Sequence, residues 1–458
     1  MKVFVNFTGE NPRIPSQTIN TTTAKIIGGA DEVQSYSPAD FDPVFKKNID
    51  RILTKRKGIW HNYWAPYICL KTLKSLIDGD YLVYSVESSY YEHSVYPLIE
   101  ILSDLSQPIL PFILVGGVKE RYFTKRDLFI SMNLDIPEVT DSWMLTPAYF
   151  LAKKCPASID FFEEWLALTQ IDEFVTDAPS KLGKDYDELL SHSHVGSIFS
   201  LLVKKYGFKR FPDPTDRADE VKLAWTRSGM PQEAFTSDFD EKIERPYPRI
   251  LTVYWGENPF EYWLRTEIFN PKTKSFPFDK KRRNFEEWGL KIPDYQYESM
   301  ILDKFVPTFI KQVRDDKRTF PEYLDMHSQL KEQGIEISWH LFNEIVFENL
   351  IQKFIYQMAR GEITFPEYLK RRSALKKQGF KISAVREIAC LVKYLITKKP
   401  FDAEPTERNQ TASAPQPHVM SKASKKSACY RHPKLLEKPI VVFTASQGGM
   451  TAQEDLLR

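Results

Sequence analysis

The sequence has few cysteines and no long apolar run. Its 458 residues include four cysteines, and none of them forms a C-x-x-C pair. This argues against a zinc site or a disulfide framework and predicts free thiols in the cytoplasm. No segment reaches the roughly 18 uncharged apolar residues that a membrane-spanning helix needs. The 63 basic and 61 acidic residues leave a net charge of +2, so charge gives no reason to expect a nucleic-acid partner.

Several catalytic motifs are also missing. The sequence has no P-loop, no G-x-G-x-x-G and no Ser-His-Asp order, which disfavours kinases, NAD enzymes and hydrolases. What it does have is a composition that is 42% hydrophobic and 14% aromatic, enough for a large core. The length predicts about three structural regions.

Shifts in composition divide the chain into four parts. Short apolar strands alternate with helical patterns over residues 1–211, which predicts an α/β domain with a mainly parallel, Rossmann-like sheet. We interpret residues 212–274 as a linking segment. Residues 275–398 are helical and charged. Residues 399–458 are polar with a basic cluster, which predicts a largely disordered tail.

The end of one predicted strand attracts particular interest. Tyr81–Val86 is apolar and is followed by Glu87, Ser88 and Ser89. Parallel sheets bind ligands at the carboxyl ends of their strands, so chemistry is expected at these three residues. The first strand, Lys2–Phe7, likewise ends in a polar turn.

Several motifs in residues 1–210 occur in a recognisable order, and together they resemble a bacterial and viral family of GT-A-type glycosyltransferases. The resemblance predicts a GT-A-like fold. The segments that carry it are Trp60–Tyr67 (WHNYWAPY), Lys71–Lys74 (KTLK), Asp78–Tyr84 (DGDYLVY), Thr124–Phe129 (TKRDLF), Phe161–Trp165 (FFEEW), Thr176–Ser180 (TDAPS) and His192–Leu202 (HSHVGSIFSLL).

The resemblance implies transfer of a sugar from a nucleotide sugar to a glycan or protein acceptor. It implies Mn²⁺ or Mg²⁺ as a cofactor, because a hard cation held by carboxylates stabilises a leaving diphosphate. The resemblance assigns catalysis to Glu87, Asp127 and Asp177. It assigns donor binding to Asn6, Thr8 and Arg126, and metal binding to Glu87 and His194.

The sequence departs from the family pattern at the metal. Val86 stands where an Asp is expected, and Glu87 is offset by one residue, which on a regular strand turns its side chain to the opposite face. Ala65 replaces a Lys, and Val195 with Gly196 replaces Asp-Gln. Two hypotheses follow: Glu87 turns into the cleft of an active enzyme, or the chain is a non-catalytic binding protein that lost its metal site.

The other site residues have structural alternatives. One alternative for Asp127 is that its carboxylate accepts a hydrogen bond from a ribose or sugar hydroxyl. The other is that it pairs locally with Arg126 or caps a helix. Asp177 contacts substrate or serves as a turn residue. His192 and His194 act together only if the helix begins after them. The aromatic residues Trp60, Tyr63, Trp64 and Tyr67 stack on a ligand or pack in the core.

The helical region contains an internal repeat. Thr319–Leu324 recurs as Thr364–Leu369, an offset of 45 residues, and Gly334 recurs as Gly379. Each copy predicts two helices, with Thr at an N-cap, Glu three residues later as a capping box, and Gly at a left-handed C-cap. The period indicates a small stack of helical repeats, which either binds a protein partner or packs as an appendage.

Overall fold

The computed structural model describes residues 1–9, 15–54, 62–114, 117–215, 232–234, 245–254, 257–270, 273–335 and 346–397. The chain forms two compact units. Among the described residues, the first comprises Met1–Pro259 with Glu287–Leu290, and the second comprises Phe260–Glu286 and residues 291–397. The predicted tail at 399–458 lies outside the described residues.

The first unit is a mixed α/β structure. Its strands are β1 (Lys2–Phe7), β2 (Glu32–Tyr36), β3 (Tyr81–Ser85), β4 (Ser89–Tyr91), β5 (Ile109–Ile113), β6 (Leu145–Lys153) and β7 (Leu251–Val253). Its helices are α1 (Ser16–Thr23), α2 (Pro43–Thr54), α3 (Trp64–Ser75), α4 (Tyr96–Asp104), α5 (Arg126–Ser131), α6 (Pro137–Thr140), α7 (Pro156–Leu168) and α8 (Val195–Lys205).

A five-stranded sheet with the order β2-β1-β3-β6-β5 is the centre of this unit. β1 pairs in parallel with β2 and β3, whereas β6 runs antiparallel to β3 and β5. Four strands therefore share one direction. The predicted mainly parallel sheet is confirmed, with β6 as its antiparallel member.

Helices cover both faces of the sheet, as the buried alternate residues of its strands require. Val3, Val5 and Phe7 of β1 pack in a core with residues of α3, α7 and α8. Phe4, which points the other way, packs in a second core with residues of α4. The sheet positions its strand ends rigidly because both of its faces are buried.

The described part of the predicted linking segment, 212–274, is structured. β7 pairs with β4 in a two-stranded sheet, and Thr215 forms a parallel bridge to Leu251. Ile250 and Val253 are fully buried in the core that contains Phe4. This corrects the predicted boundary at residue 211, because these apolar residues complete the first unit.

The described residues of the second unit are helical, and none of the described helices of the chain is long and apolar enough to cross a membrane. The helices are α9 (Pro259–Phe269), α10 (Phe278–Glu287), α11 (Asp294–Ser299), α12 (Val306–Arg314), α13 (Phe320–Glu332), α14 (Gln352–Ala359), α15 (Phe365–Lys377) and α16 (Ala384–Thr397). Single π-helical stretches at Met300–Phe305 and Phe347–Ile351 precede α12 and α14.

The same local geometry occurs twice in this unit at a spacing of 45 residues. Thr319 and Thr364 are N-caps whose hydroxyls accept hydrogen bonds from the amides of Glu322 and Glu367, and Glu322 completes a capping box. Left-handed backbone recurs at the same spacing, at Asp316 and Gly361 and again at Gly334 and Gly379. The predicted N-caps and left-handed glycines are confirmed in both copies, whereas the predicted capping box is present at Thr319 and not at Thr364.

Candidate active site

The carboxyl edge of the parallel strands gathers most of the predicted site. β1 ends at Phe7 and is followed by Thr8, whose amide donates to the carbonyl of Tyr36 at 3.0 Å. β3 ends at Ser85 and leads into Val86 and Glu87. Because β1 and β3 are parallel, Thr8 and Glu87 follow strands that end at the same edge.

The alternation of side chains breaks directly after β3. Leu82 and Tyr84 enter the core with α3, and Val83 enters the core with α4. Regular alternation would send Val86 to the side of Tyr84, but Val86 is buried in the core with Val83. The strand therefore turns after Ser85, and the position expected to hold a metal-binding Asp is an apolar core position.

Glu87, the next residue, is also buried. Burial raises the pKa of the Tyr84 phenol well above its ordinary value, and the negative charge of Glu87 adds to that rise. Burial also raises the pKa of Tyr254, with the charge of Glu87 acting in the same direction. Glu87 therefore lies within electrostatic reach of two buried phenols, which are hydroxyl groups that can orient a carboxylate.

Asn6 belongs to a buried polar network behind this edge. Its Nδ2 donates to Asn20 Oδ1 at 2.8 Å and to Thr21 Oγ1 at 3.0 Å. Asn20 Nδ2 then donates to the hydroxyls of Ser85 and Ser89, each at 2.9 Å. Ser89 belongs to the polar turn noted in the sequence, whereas Asn20 and Ser85 escaped the sequence analysis, because isolated polar residues in α1 and at a strand end carry no motif.

These hydrogen bonds explain why the polar side chain of Asn6 is buried without any ligand. The assignment of Asn6 to donor binding stays a prediction. Thr8 is half-buried at the end of β1. It is therefore the more accessible of the two predicted donor contacts on this strand.

His194 has a strained backbone at the N-terminus of α8. Its φ of 50° and ψ of −113° lie outside the regions that residues with a side chain ordinarily occupy. Its Nε2 lies 2.8 Å from Oδ1 of the half-exposed Asp177, and its ring is edge-on to that of His192 with 4.7 Å between centroids. Such strain persists only where the surroundings enforce it, and it is concentrated at functional sites.

His192 has a structural arrangement of hydrogen bonds. Its Nε2 lies 2.8 Å from the carbonyl oxygen of Phe174, and its Nδ1 accepts from the amide of Lys125 at 3.3 Å. These partners assign the neutral tautomer with the proton on Nε2. His192 thus fixes the loop before α5, while His194 faces a carboxylate. The helix begins at Val195, so the predicted condition for the two residues to lie together is met.

The N-terminus of α8 lies at the same edge as Glu87, as a chain of contacts shows. The amide of Val86 donates to the carbonyl of Ala148 in β6 at 2.9 Å. The neighbouring Pro147 lies 3.5 Å from the point where a Cβ on Gly196 would sit. Gly196 is two residues after His194, so β6 joins the Glu87 turn to the His194 turn.

Asp127 and Arg126 hold a loop together. The carboxylate of Asp127 accepts hydrogen bonds from the amides of Lys181 and Leu182 at 2.7–2.9 Å. Arg126 Nε donates to Asp135 at 3.0 Å. These bonds give both residues a structural role. The predicted contact of Asp127 with a sugar and that of Arg126 with the nucleotide stay predictions.

The predicted aromatic group packs in the core. Trp64 stacks on Phe7 with 4.4 Å between ring centroids, and Tyr67 stacks on Phe45 at 3.9 Å. The hydroxyl of Tyr63 donates to the carbonyl of Val175 at 2.7 Å. These three aromatic residues therefore pack in the core, which is one of the two predicted alternatives. Trp60 lies outside the described residues.

The described residues do not by themselves form a complete set of metal ligands. Among the described residues, no group of three or more His, Cys, Asp or Glu side chains is arranged to hold a metal ion. Val86 supplies no donor. The assignment of Glu87 and His194 to a metal stays a prediction, and no chemical step is derived from it.

Comparisons with known proteins give only distant likenesses. No family model and no curated protein matches the chain. Among solved structures, the apo form of mouse xyloside xylosyltransferase 1 is 7% identical with a TM-score of 0.31, covering 56% of this chain and 98% of its own. Galactosyltransferase LgtC, solved with donor and acceptor sugar analogues, is 11% identical with a TM-score of 0.33, covering 64% and 98%. Both are glycosyltransferases, but TM-scores below 0.5 carry no argument about this chain.

Proposed function

We propose that the first unit is a glycosyltransferase that takes a nucleotide sugar as donor and a glycan or protein as acceptor. The observation that carries the proposal is the strained His194, paired with Asp177 at the sheet edge that also holds Glu87. The ordered motifs of the first 210 residues support it through the family resemblance that they carry.

The N-terminus of α8 is the proposed site of the donor diphosphate. A helix N-terminus favours negative charge through its unpaired amides and its dipole. His194 lies at that terminus, and Asp177 fixes the orientation of its ring. A protonated ring there would supply positive charge to a leaving diphosphate, which is the stabilisation that the missing carboxylate–metal arrangement would otherwise provide.

Glu87 is the proposed catalytic carboxylate. An ionised carboxylate accepts a hydrogen bond from a sugar hydroxyl and can take its proton as the acceptor attacks. Its charge acts on the buried phenols of Tyr84 and Tyr254, which are the proposed groups that orient it. Mn²⁺ or Mg²⁺ remains a proposal, and its role is open to measurement because activity can be compared with and without the ion.

A second candidate function is a non-catalytic domain that binds a glycan or nucleotide. The burial of Val86 favours it, because an apolar core residue stands where the metal-binding Asp is expected. The two candidates differ in one respect: the binding domain holds the nucleotide sugar without cleaving it.

A thermal-shift screen of UDP-, GDP- and dTDP-sugars on the full chain, with and without Mn²⁺, tests the proposal. A ligand at 100 times its dissociation constant stabilises the folded state by about 2.7 kcal/mol. We expect stabilisation by one nucleotide class and release of free nucleotide on incubation. Stabilisation without release would favour the binding domain, and no stabilisation by any donor would contradict both.

For the second unit, we propose that the helix pairs form a stack of 45-residue repeats. The recurrence of N-caps, left-handed residues and C-caps at that spacing supports it. A surface of such a stack is suited to a protein partner.

A further inference from the structure

The turn before α3 buries a polar side chain that has no hydrogen-bond partner. Asn62 lies two residues before the first residue of α3 and is 1% exposed. Neither Oδ1 nor Nδ2 of its side chain has a partner in the described part of the chain. Buried side-chain amides in folded proteins are nearly always paired, because an unpaired one gives up its hydrogen bonds with water and gains none in return. The burial of Asn62 is therefore unfavourable unless a ligand pairs with it.

The backbone of this turn explains the residue type but not the burial. Asn62 has a φ of 49°, in the left-handed region that asparagine tolerates better than most residues. Its carbonyl accepts a hydrogen bond from the amide of Ala65 at 2.9 Å, and that bond does not involve the side chain. Asn133 has nearly the same φ, 55°, and is exposed. A left-handed turn alone therefore does not require a buried carboxamide.

A second unpartnered amide oxygen lies at the same end of β1. Trp64, the first residue of α3, stacks on Phe7, the last residue of β1, with 4.4 Å between ring centroids. Asn6 directly precedes Phe7, and its buried Oδ1 also lacks a hydrogen-bond partner among the described residues. The stacked rings thus place two residues with unpartnered carboxamide atoms, Asn6 and Asn62, at one end of the strand. Such a concentration is expected where a polar ligand completes the hydrogen bonds.

Tyr63 connects the Asn62 turn to the His194 side of the candidate active site. The hydroxyl of Tyr63, the residue after Asn62, donates to the carbonyl of Val175 at 2.7 Å. Val175 is two residues before Asp177, whose Oδ1 lies 2.8 Å from Nε2 of His194. A buried hydrogen bond therefore holds the Asn62 turn against the loop that leads to Asp177.

Trp64 connects the same turn to the Glu87 side of the site. Burial raises the pKa of the Tyr84 phenol, the charge of Glu87 adds to that rise, and the side chain of Trp64 opposes it. The indole of Trp64 and the carboxylate of Glu87 therefore both lie within electrostatic reach of one phenol. The turn at Asn62 is thus connected to both groups that carry the proposed function.

We propose that Asn62 binds hydroxyl groups of the sugar that the nucleotide donor carries. This inference rests on the proposed function and names a residue that selects the transferred sugar. A carboxamide presents a hydrogen-bond donor and an acceptor side by side, and each hydroxyl of a sugar can donate and accept. Two neighbouring hydroxyls would satisfy both atoms of Asn62 at once, and Asn6 Oδ1 is a further acceptor at this end of β1.

The surroundings of Asn62 favour a sugar over a nucleobase. Proteins commonly hold a base by stacking it on an accessible aromatic face as well as by hydrogen bonds. The aromatic residues next to this turn are Phe7, Tyr63 and Trp64, and none of them is more than 3% exposed. Their rings belong to the core, so the turn offers hydrogen bonds without a stacking surface.

Binding at this turn requires the sheet edge to open. Asn62, Glu87 and His194 are each at most 6% exposed. Enzymes that enclose their substrates admit them through such an opening and then close, which excludes water from the reaction. The burial of Asn62 is thus what we expect of a residue that contacts the transferred sugar.

Titration calorimetry of the variant Asn62→Gly tests the proposal. The full chain is titrated with the UDP-, GDP- and dTDP-sugars of the thermal-shift screen and with UDP, GDP and dTDP. Glycine adopts a positive φ without strain, so the change removes only the carboxamide. We expect the affinity for the nucleotide sugar to fall about tenfold or more, because two hydrogen bonds to the sugar are lost. The affinity for the matching nucleoside diphosphate should stay unchanged.

Asn133→Gly is the matched control, since Asn133 shares the left-handed φ but is exposed. It should bind both ligands as the wild type does. Equal losses for the nucleotide sugar and the diphosphate in Asn62→Gly, or no loss for either, would overturn the proposal. So would a ligand-free Asn62→Gly that melts well below Asn133→Gly, because the carboxamide would then stabilise the fold. A wild type that binds none of these ligands would contradict the proposed function, and this inference with it.

Discussion

The two units of the chain use their polar residues in different ways. In the first unit, polar side chains from distant parts of the sequence meet in buried networks: Asn20 reaches Ser85, and Asp127 reaches Lys181. In the second unit, the repeated polar contacts are local, as in the caps at Thr319 and Thr364. The comparison teaches that polar side chains join distant segments in both units, since Arg318 of the second unit donates to the carbonyls of Ile268 and Asn270, whereas the polar contacts that recur every 45 residues are local.

The largest expected effect concerns the carboxylate at the sheet edge. Replacing Glu87 by Gln keeps the volume of the side chain but removes its charge and its capacity to accept a proton. We expect transfer, or donor hydrolysis, to fall roughly a thousandfold, equivalent to about 4 kcal/mol. The assay is nucleotide release by the full chain. The control is Glu32→Gln at an exposed position of β2, and equal activity of the two variants would contradict the role of Glu87.

The next effect concerns a buried ion pair of the first unit. Lys204 Nζ lies 2.5 Å from Glu120 Oε1, and burial lowers the pKa of Lys204 to about 8 although Glu120 opposes the shift. Lys204→Met leaves the buried carboxylate of Glu120 without its cation. We expect a loss of about 3–5 kcal/mol in the free energy of unfolding, measured with urea.

The neighbouring Lys205 provides the matched control for this measurement. Its pair with Glu164 is partly exposed, so Lys205→Met should cost at most about 1 kcal/mol. If the two variants lost the same stability, the claim that the first unit depends on buried polar contacts would fail.

Acid should destabilise the second unit through His327. Burial lowers the pKa of His327 to about 4, with the charge of Lys331 contributing. Because the pKa in the unfolded chain is near 6.5, the unfolded chain binds the proton more strongly between pH 6.5 and 4, and the folded state loses stability as the pH falls through that window. The cost at pH 5 is about 2 kcal/mol relative to pH 7.5. His327→Gln should reduce this dependence in urea unfolding at both pH values, and an unchanged dependence would contradict the assignment.

The smallest effect concerns the repeated caps. Thr319→Ala and Thr364→Ala should each cost about 1 kcal/mol of stability. Thr319→Ala should cost more, because the Thr319 hydroxyl also donates to the carboxylate of Glu322 at 2.9 Å. Urea unfolding of both variants compares the two sites. A loss at only one of them would show that the two copies are not energetically equivalent.

Much of this structure is readable from the sequence, because local rules decide it. β1 occupies the predicted Lys2–Phe7, and β3 with the turn to Glu87 lies where the apolar run predicts it. The caps and left-handed glycines follow from short motifs. The direction of the sheet follows from the alternation of strands and helices.

The site could be predicted only in part. The position of Glu87 at the carboxyl end of a strand was predictable, because it depends only on where the apolar run of β3 ends. The burial of Val86 and the loop bonds of Asp127 could not be read from spacing, since a turn after Ser85 reverses the side-chain alternation and Lys181 is distant in sequence. The contribution of residues 245–254 was missed because β7 has only three residues and pairs with β4 far away.

The most direct test of the account is the affinity of His194→Gly for the nucleotide sugar that stabilises the wild type. Glycine accepts the backbone conformation of His194 without strain, and relief of about 1–3 kcal/mol offsets the lost contacts of the ring. Titration calorimetry on the full chain should show affinity reduced at least tenfold, while urea unfolding shows little change in stability. Unchanged affinity in a variant of normal stability would contradict the claim that His194 forms part of a donor site at this sheet edge.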